Sequence, residues 1–168
     1  LLLFLHLISS FKIEAQEILI SEFMASNVVS VPEITDYEDY PDWIEIYNSS
    51  AETINLTNYA ITDNLNESSK WKFPGGTFLP PNSYLILWAD DNDDIPGDGI
   101  KYYHLNFKIS QDGEEIGIFS PEGELVDSVT FGPQLSDVSY GRMLGNTENW
   151  YYFGEPTPGA ANTTAGVK

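Results

Sequence analysis

Short runs in which bulky apolar residues alternate with polar ones recur along this chain, and turn-forming residues interrupt them every few positions. Ile18, Ile20 and Phe23 within residues 17–24 predict a first strand. Residues 27–41 are polar, acidic and bounded by prolines, and they read as a loop. Residues 43–47 alternate again, and Asn48-Ser49-Ser50 ends the run with turn formers. Ile54, Leu56 and residues 59–61 continue the pattern. A short strand is expected at residues 70–73, stopped by Pro74-Gly75-Gly76. After the turn Pro80-Pro81-Asn82, residues 84–88 are almost continuously apolar, as in a central strand buried on both faces. Residues 115–119 and 125–131 flank Ser120-Pro121-Glu122-Gly123-Glu124 as the clearest hairpin. No window of helical length carries the i, i+3, i+4 apolar spacing with a cap and a glycine stop. The pattern predicts an all-β domain of about eight or nine short strands, folded as a two-sheet sandwich with little or no helix.

Composition supports one domain with a real core, since 42% of the 168 residues are hydrophobic and 14% aromatic. Charge narrows the partners. With 26 acidic residues against 7 basic ones the net charge is −19, which repels nucleic acid and anionic membrane surfaces. Residues 1–15 begin with the apolar run Leu1 to Ile8, which Ser9, Ser10 and then Ala15 follow as small residues, the pattern of a secretory signal whose beginning is truncated. The run is about half the length a bilayer span needs. Cleavage after Ala15 removes Lys12 and Glu14 together, so the charge balance is unaffected. The expectation is an exported protein, periplasmic, cell-surface or extracellular, with a domain over residues 17–162 and a linker-like tail over 163–168. The chain has no cysteine, so thiol catalysis, disulfides and thiolate-metal sites are excluded.

Candidate chemistry is sparse. The only histidine after the signal is His104, expected as a partly exposed strand or loop residue, and no Gly-x-Ser-x-Gly elbow presents a serine to it. No phosphate-cradling glycine loop occurs. Trp43 and Trp88 sit within strand patterns and read as core. Asp90, Asn92 and Asp94 have the odd-position spacing of the first half of an EF-hand loop, but Ile95 stands where that loop needs glycine and Lys101 where it needs a bidentate acid. An irregular calcium site using Asp90, Asn92, Asp94 and Asp98 is the metal expectation; no other cofactor and no catalytic residue is assigned. Asp36, Glu38, Asp39 and Asp42 form a second acidic group that would contribute if the two loops met.

Several segments in a fixed order carry a family likeness. They are Trp43-Ile44-Glu45-Ile46-Tyr47-Asn48, Ile54-Asn55-Leu56-Thr57-Asn58-Tyr59, Trp71-Lys72-Phe73-Pro74, the run from Pro80 to Trp88, and the hairpin from Glu114 to Val129. They close with Ser139-Tyr140-Gly141-Arg142 and Pro156-Thr157-Pro158-Gly159-Ala160-Ala161-Asn162. In this order they resemble the lamin tail domain, and the likeness spans roughly residues 18–162. The resemblance implies an immunoglobulin-like β-sandwich used as an interaction module, similar to bacterial exported members that accompany other domains. It assigns structural weight to Trp43, Glu45, Asn48, Gly141, Arg142, Pro158 and Gly159, and no catalytic residue. Physically, Asn48 and Asp63 would close turns, Gly141 would permit close backbone approach, and Arg142 would pair with a carboxylate at a strand edge. The function expected is a noncatalytic module that binds a protein partner, a cell-surface glycan or a neighbouring domain. The alternative is a calcium-dependent hydrolase, or an accessory part of one, that uses the acidic loops.

Overall fold

The computed structural model describes residues 17–33, 39–93 and 102–163. The expected signal, the residues after 163, and Asp36, Glu38, Asp94 and Asp98 lie outside them. The described residues form twelve strands and no helix: β1 Ile18–Met24, β2 Trp43–Asn48, β3 Ile54–Asn55, β4 Ala60–Thr62, β5 Trp71–Lys72, β6 Phe78–Leu79, β7 Tyr84–Trp88, β8 Tyr102–His104, β9 Glu114–Phe119, β10 Leu125–Phe131, β11 Ser139–Met143 and β12 Asn146–Phe153. Three of them, β3, β5 and β6, have two residues each, which leaves nine longer strands beside the expected eight or nine; the strand expected at residues 70–73 shrinks to the two residues of β5.

One sheet has six strands in the order β12-β11-β1-β2-β7-β8, and the second has four in the order β10-β9-β4-β5. The pairings are antiparallel except for β7 with β8. Together the sheets make an immunoglobulin-like sandwich. Its core takes alternate residues of each strand: Ile18, Ile20 and Phe23 from β1, Ile44 and Ile46 from β2, and Leu85 and Leu87 from β7. Ile61, Ile116, Ile118, Val129 and Phe131 answer from the second sheet. The period-2 geometry of a strand puts these side chains on one face and their neighbours on the other.

That other face of the six-stranded sheet is also covered. Over one half, Met24, Trp43, Ile86, Trp88 and Tyr102 form a second apolar cluster with Val31 from the β1–β2 connection. The connection is pinned there by Asn27, whose Nδ2 donates to the carbonyls of Val31 and Pro41 at 2.6 and 2.8 Å. Over the other half lies the chain after β12. Double coverage explains why all seven residues of β1 are buried, polar ones included.

Candidate functional site

Glu22 of β1 and Glu45 of β2 face each other across the antiparallel ladder, and both are fully buried. A register shift between Ile20 and Glu22 leaves Ser21 bulged beside them. Two carboxyls without water are costly unless their oxygens are occupied. The chain after β12 occupies them. Gly159 N donates to Glu45 Oε2 at 2.5 Å, and Ser21 Oγ donates to Glu45 Oε1 at 2.6 Å. Thr157 N lies 3.3 Å from both Glu22 oxygens, and Ser139 Oγ donates to Glu22 Oε1. Burial pushes Glu45 up to about 8, against the hydrogen bonds from Ser21 and Gly159, and it raises Glu22 as well.

One glycine beneath the strap is dictated by fit and one within it by backbone conformation. A Cβ on Gly141 would sit 2.8 Å from both Asn162 Nδ2 and the Ser21 carbonyl. Asn162 ties the strap down, with Nδ2 donating to the Arg142 carbonyl at 3.1 Å and Oδ1 accepting from Thr157 Oγ1 at 2.6 Å. Gly159 has φ of +82°, a left-handed conformation open to glycine, which lets the backbone turn so that its N–H meets Glu45. Pro158 stands immediately before it in that turn.

On the core side, Arg142 bridges the two sheets. Its guanidinium is paired with both oxygens of Asp127 on β10, Nη2 lying 3.0 Å from Oδ1. The Ile20 amide donates to the same carboxylate at 2.7 Å. The guanidinium lies 4.6 Å from the Trp150 ring centroid. A register shift in β10 falls between Leu125 and Asp127, so an irregularity in each strand meets at this clamp.

Beside the strap, on the outer face, is a shallow concavity. Tyr47 and Tyr84, stacked with ring centroids 4.6 Å apart, meet Leu19, Met143, Leu144 and Thr147 there. It holds no pair of acids.

At the end of the sheet where β1 leaves and β2 enters, Asp90 Oδ2 meets His104 Nδ1 at 2.7 Å, and Asp90 Oδ1 accepts the Asn92 amide at 3.2 Å. His104 Nε2 is 3.7 Å from Glu33 Oε1. Among the described residues no group of three or more histidines and acids is arranged to hold a metal. Of the four expected calcium ligands, Asp94 and Asp98 lie outside the described residues. Asp42 is drawn away from the surface: it accepts the Asn27 amide at 2.8 Å, and burial lifts it to about 6.

The sequence pattern of the Lamin Tail Domain family matches residues 13–133. This covers well over half of the chain. The protein belongs to the lamin tail domain family. No curated protein matches it.

The lamin tail markers thus have physical partners. Trp43 is core on the outer face, Glu45 receives the strap, and Asn48 closes the turn after β2 through its bonds to the carbonyls of Glu52, Leu79 and Pro80 at 2.8 to 3.0 Å. Arg142 pairs with a carboxylate as expected. Two readings are corrected. Asp63 does not close a turn by bonding backbone; it pairs with Lys70 Nζ at 2.6 Å. His104 is buried in β8, 2% exposed, because the β1–β2 connection covers that edge of the sheet. Sequence reasoning also missed Glu22, since a polar residue in a strand reads as solvent-facing. The available signal was the run Thr157 to Asn162, whose backbone donors require acceptors somewhere.

Proposed function

We propose that this lamin tail domain is an exported, noncatalytic module that binds or positions a protein partner. One contrast carries the reading. An acid–base enzyme needs carboxyls with shifted affinities facing a cleft, whereas a binding module presents aromatic or aliphatic surface. Here Glu45, lifted to about 8, and Glu22, also raised, are fully buried and bonded to the strap, and Asp42, lifted to about 6, is engaged by the Asn27 amide, while the nearby concavity is walled by Tyr47, Tyr84 and Leu144. The acidity of the chain, −19, favours partners bearing positive charge.

The test sets the two classes of function against each other. The domain is assayed with calcium against chromogenic ester, phosphate and glycoside substrates, beside an Asp90→Asn control. The expected result is no turnover above that of the control. Turnover that Asp90→Asn abolishes would restore the calcium-dependent hydrolase. Binding on an array of cell-surface glycans, with none to peptides, would move the reading from protein to carbohydrate.

A further inference from the structure

Two connections at one end of the sandwich are stapled together in a way the core does not require. Asp137 Oδ1 accepts three consecutive backbone amides of the β1–β2 connection, from Val28, Val29 and Ser30, at 2.9, 2.9 and 3.1 Å. These amides hold the Asp137 carboxyl below the usual carboxylate range, Val29's contribution being the largest. Asp137 itself has φ of +58° and donates its own amide to the Ser26 carbonyl at 2.8 Å. Ser26 Oγ and Ser136 Oγ lie 2.9 Å apart, and Gln134 N donates to the Gln111 carbonyl at 2.8 Å. Polar groups therefore fix both loops.

What the fixed loops present is apolar. Val28 is 56% exposed, Val29 67% and Leu135 60%, and none belongs to either apolar cluster. Single exposed aliphatics are ordinary; three on a pair of mutually bonded loops are a preorganised surface. The loops' own charge says what would cover it. The described stretches at this end, residues 25–33, 39–42, 89–93, 105–113 and 132–138, carry Glu33, Asp39, Asp42, Asp90, Asp91, Asp93, Asp112 and Asp137 against a single lysine, Lys108, whose backbone is paired in a β-bridge with that of Asp90. A second copy of the chain, equally acidic, would be repelled, and so would an anionic bilayer.

Resting on the reading of a binding module, we infer that the Val28, Val29 and Leu135 surface docks a polypeptide segment that carries aliphatic side chains beside lysines or arginines. The aliphatics supply the buried area, and the acidic surround supplies orientation and encounter rate.

The immobilised whole chain is used to select from a random dodecapeptide display library. The selected peptides are expected to combine aliphatic residues with net positive charge and to bind more weakly as salt rises. Replacing Val29→Ser together with Leu135→Ser is expected to weaken them about tenfold or more, at an unchanged melting temperature. If that pair fails to fold, Val28→Lys serves, since it places repulsive charge on an exposed position. Peptides of neutral or acidic consensus, or affinity that survives both variants, would overturn the proposal, as would flotation of the domain with phosphatidylcholine vesicles. Loss of affinity on Tyr84→Ala with none on Val29→Ser/Leu135→Ser would move binding to the concavity and leave the module reading standing. A library that yields no binders would sink both.

Discussion

Arg142 is held by a carboxylate, a backbone carbonyl and an aromatic face, so its loss strands Asp127 in the gap between the sheets. Its side chain is 10% exposed and that of Asp127 is 5% exposed, and breaking a buried pair by removing one partner costs about 3–5 kcal/mol. Arg142→Ala is expected to lower the melting temperature. In a double-mutant cycle the effects of Arg142→Ala and Asp127→Ala should fall well short of additive; independent effects would mean that the clamp does not act as one piece. Gly141→Ala tests the fit of the strap. Its new methyl must displace Asn162 or the Ser21 carbonyl, each 2.8 Å away, at a cost of roughly 1–3 kcal/mol by analogy with overpacked cores. A melting temperature equal to wild type would show that the strap yields without penalty.

At the scale of the element, the strap and the two strands beneath it are linked by a proton. Glu45 has a folded value near 8, raised by burial above its ordinary 4.5. The stability of its neutral form is thus complete below the unfolded value and is lost as pH rises through about 8. Between those two values, each tenfold fall in proton concentration removes about 1.4 kcal/mol. Melting temperature is expected to fall as pH rises from about 4.5 to about 8 and to level off above it, and Glu45→Gln, which keeps an acceptor for Gly159 and presents its Nε2 to Ser21 Oγ, should flatten that fall. The same slope in Glu45→Gln would put the titration elsewhere. How much of this was readable follows from geometry. Strands such as β2 and β7 are legible because alternation or unbroken apolarity reports burial directly. Glu22 and His104 are not, because their burial comes from the strap and the β1–β2 connection, which lie far away in sequence and cover a face that alternation assigns to solvent. Asn48 and Gly141 lie between these cases: residue type announced a turn and a close approach, while the partners came only with the fold.

For the whole molecule the governing quantity is its charge of −19, which repels itself when the chain is compact. Raising sodium chloride is expected to raise the melting temperature through screening. Calcium chloride at matched ionic strength is expected to add nothing further, because the Asp90 carboxylate is already engaged by His104 and the Asn92 amide. An extra calcium-dependent rise, lost in Asp90→Asn, would establish the loop as a cation site. The sheet order also governs the sequence of events in folding. β1, near the start of the described chain, lies between β2 and β11, and the strap that completes its outer face ends at Asn162. The edge of β1 that receives β11 therefore stays bare, and its glutamates stay unsealed, until the last part of the domain has been made. During synthesis the nascent chain carries an open strand for nearly its whole length, and closure waits on pairings distant in sequence, the slow kind. A nonsense codon before residue 162 would release a sticky chain in place of a shorter domain.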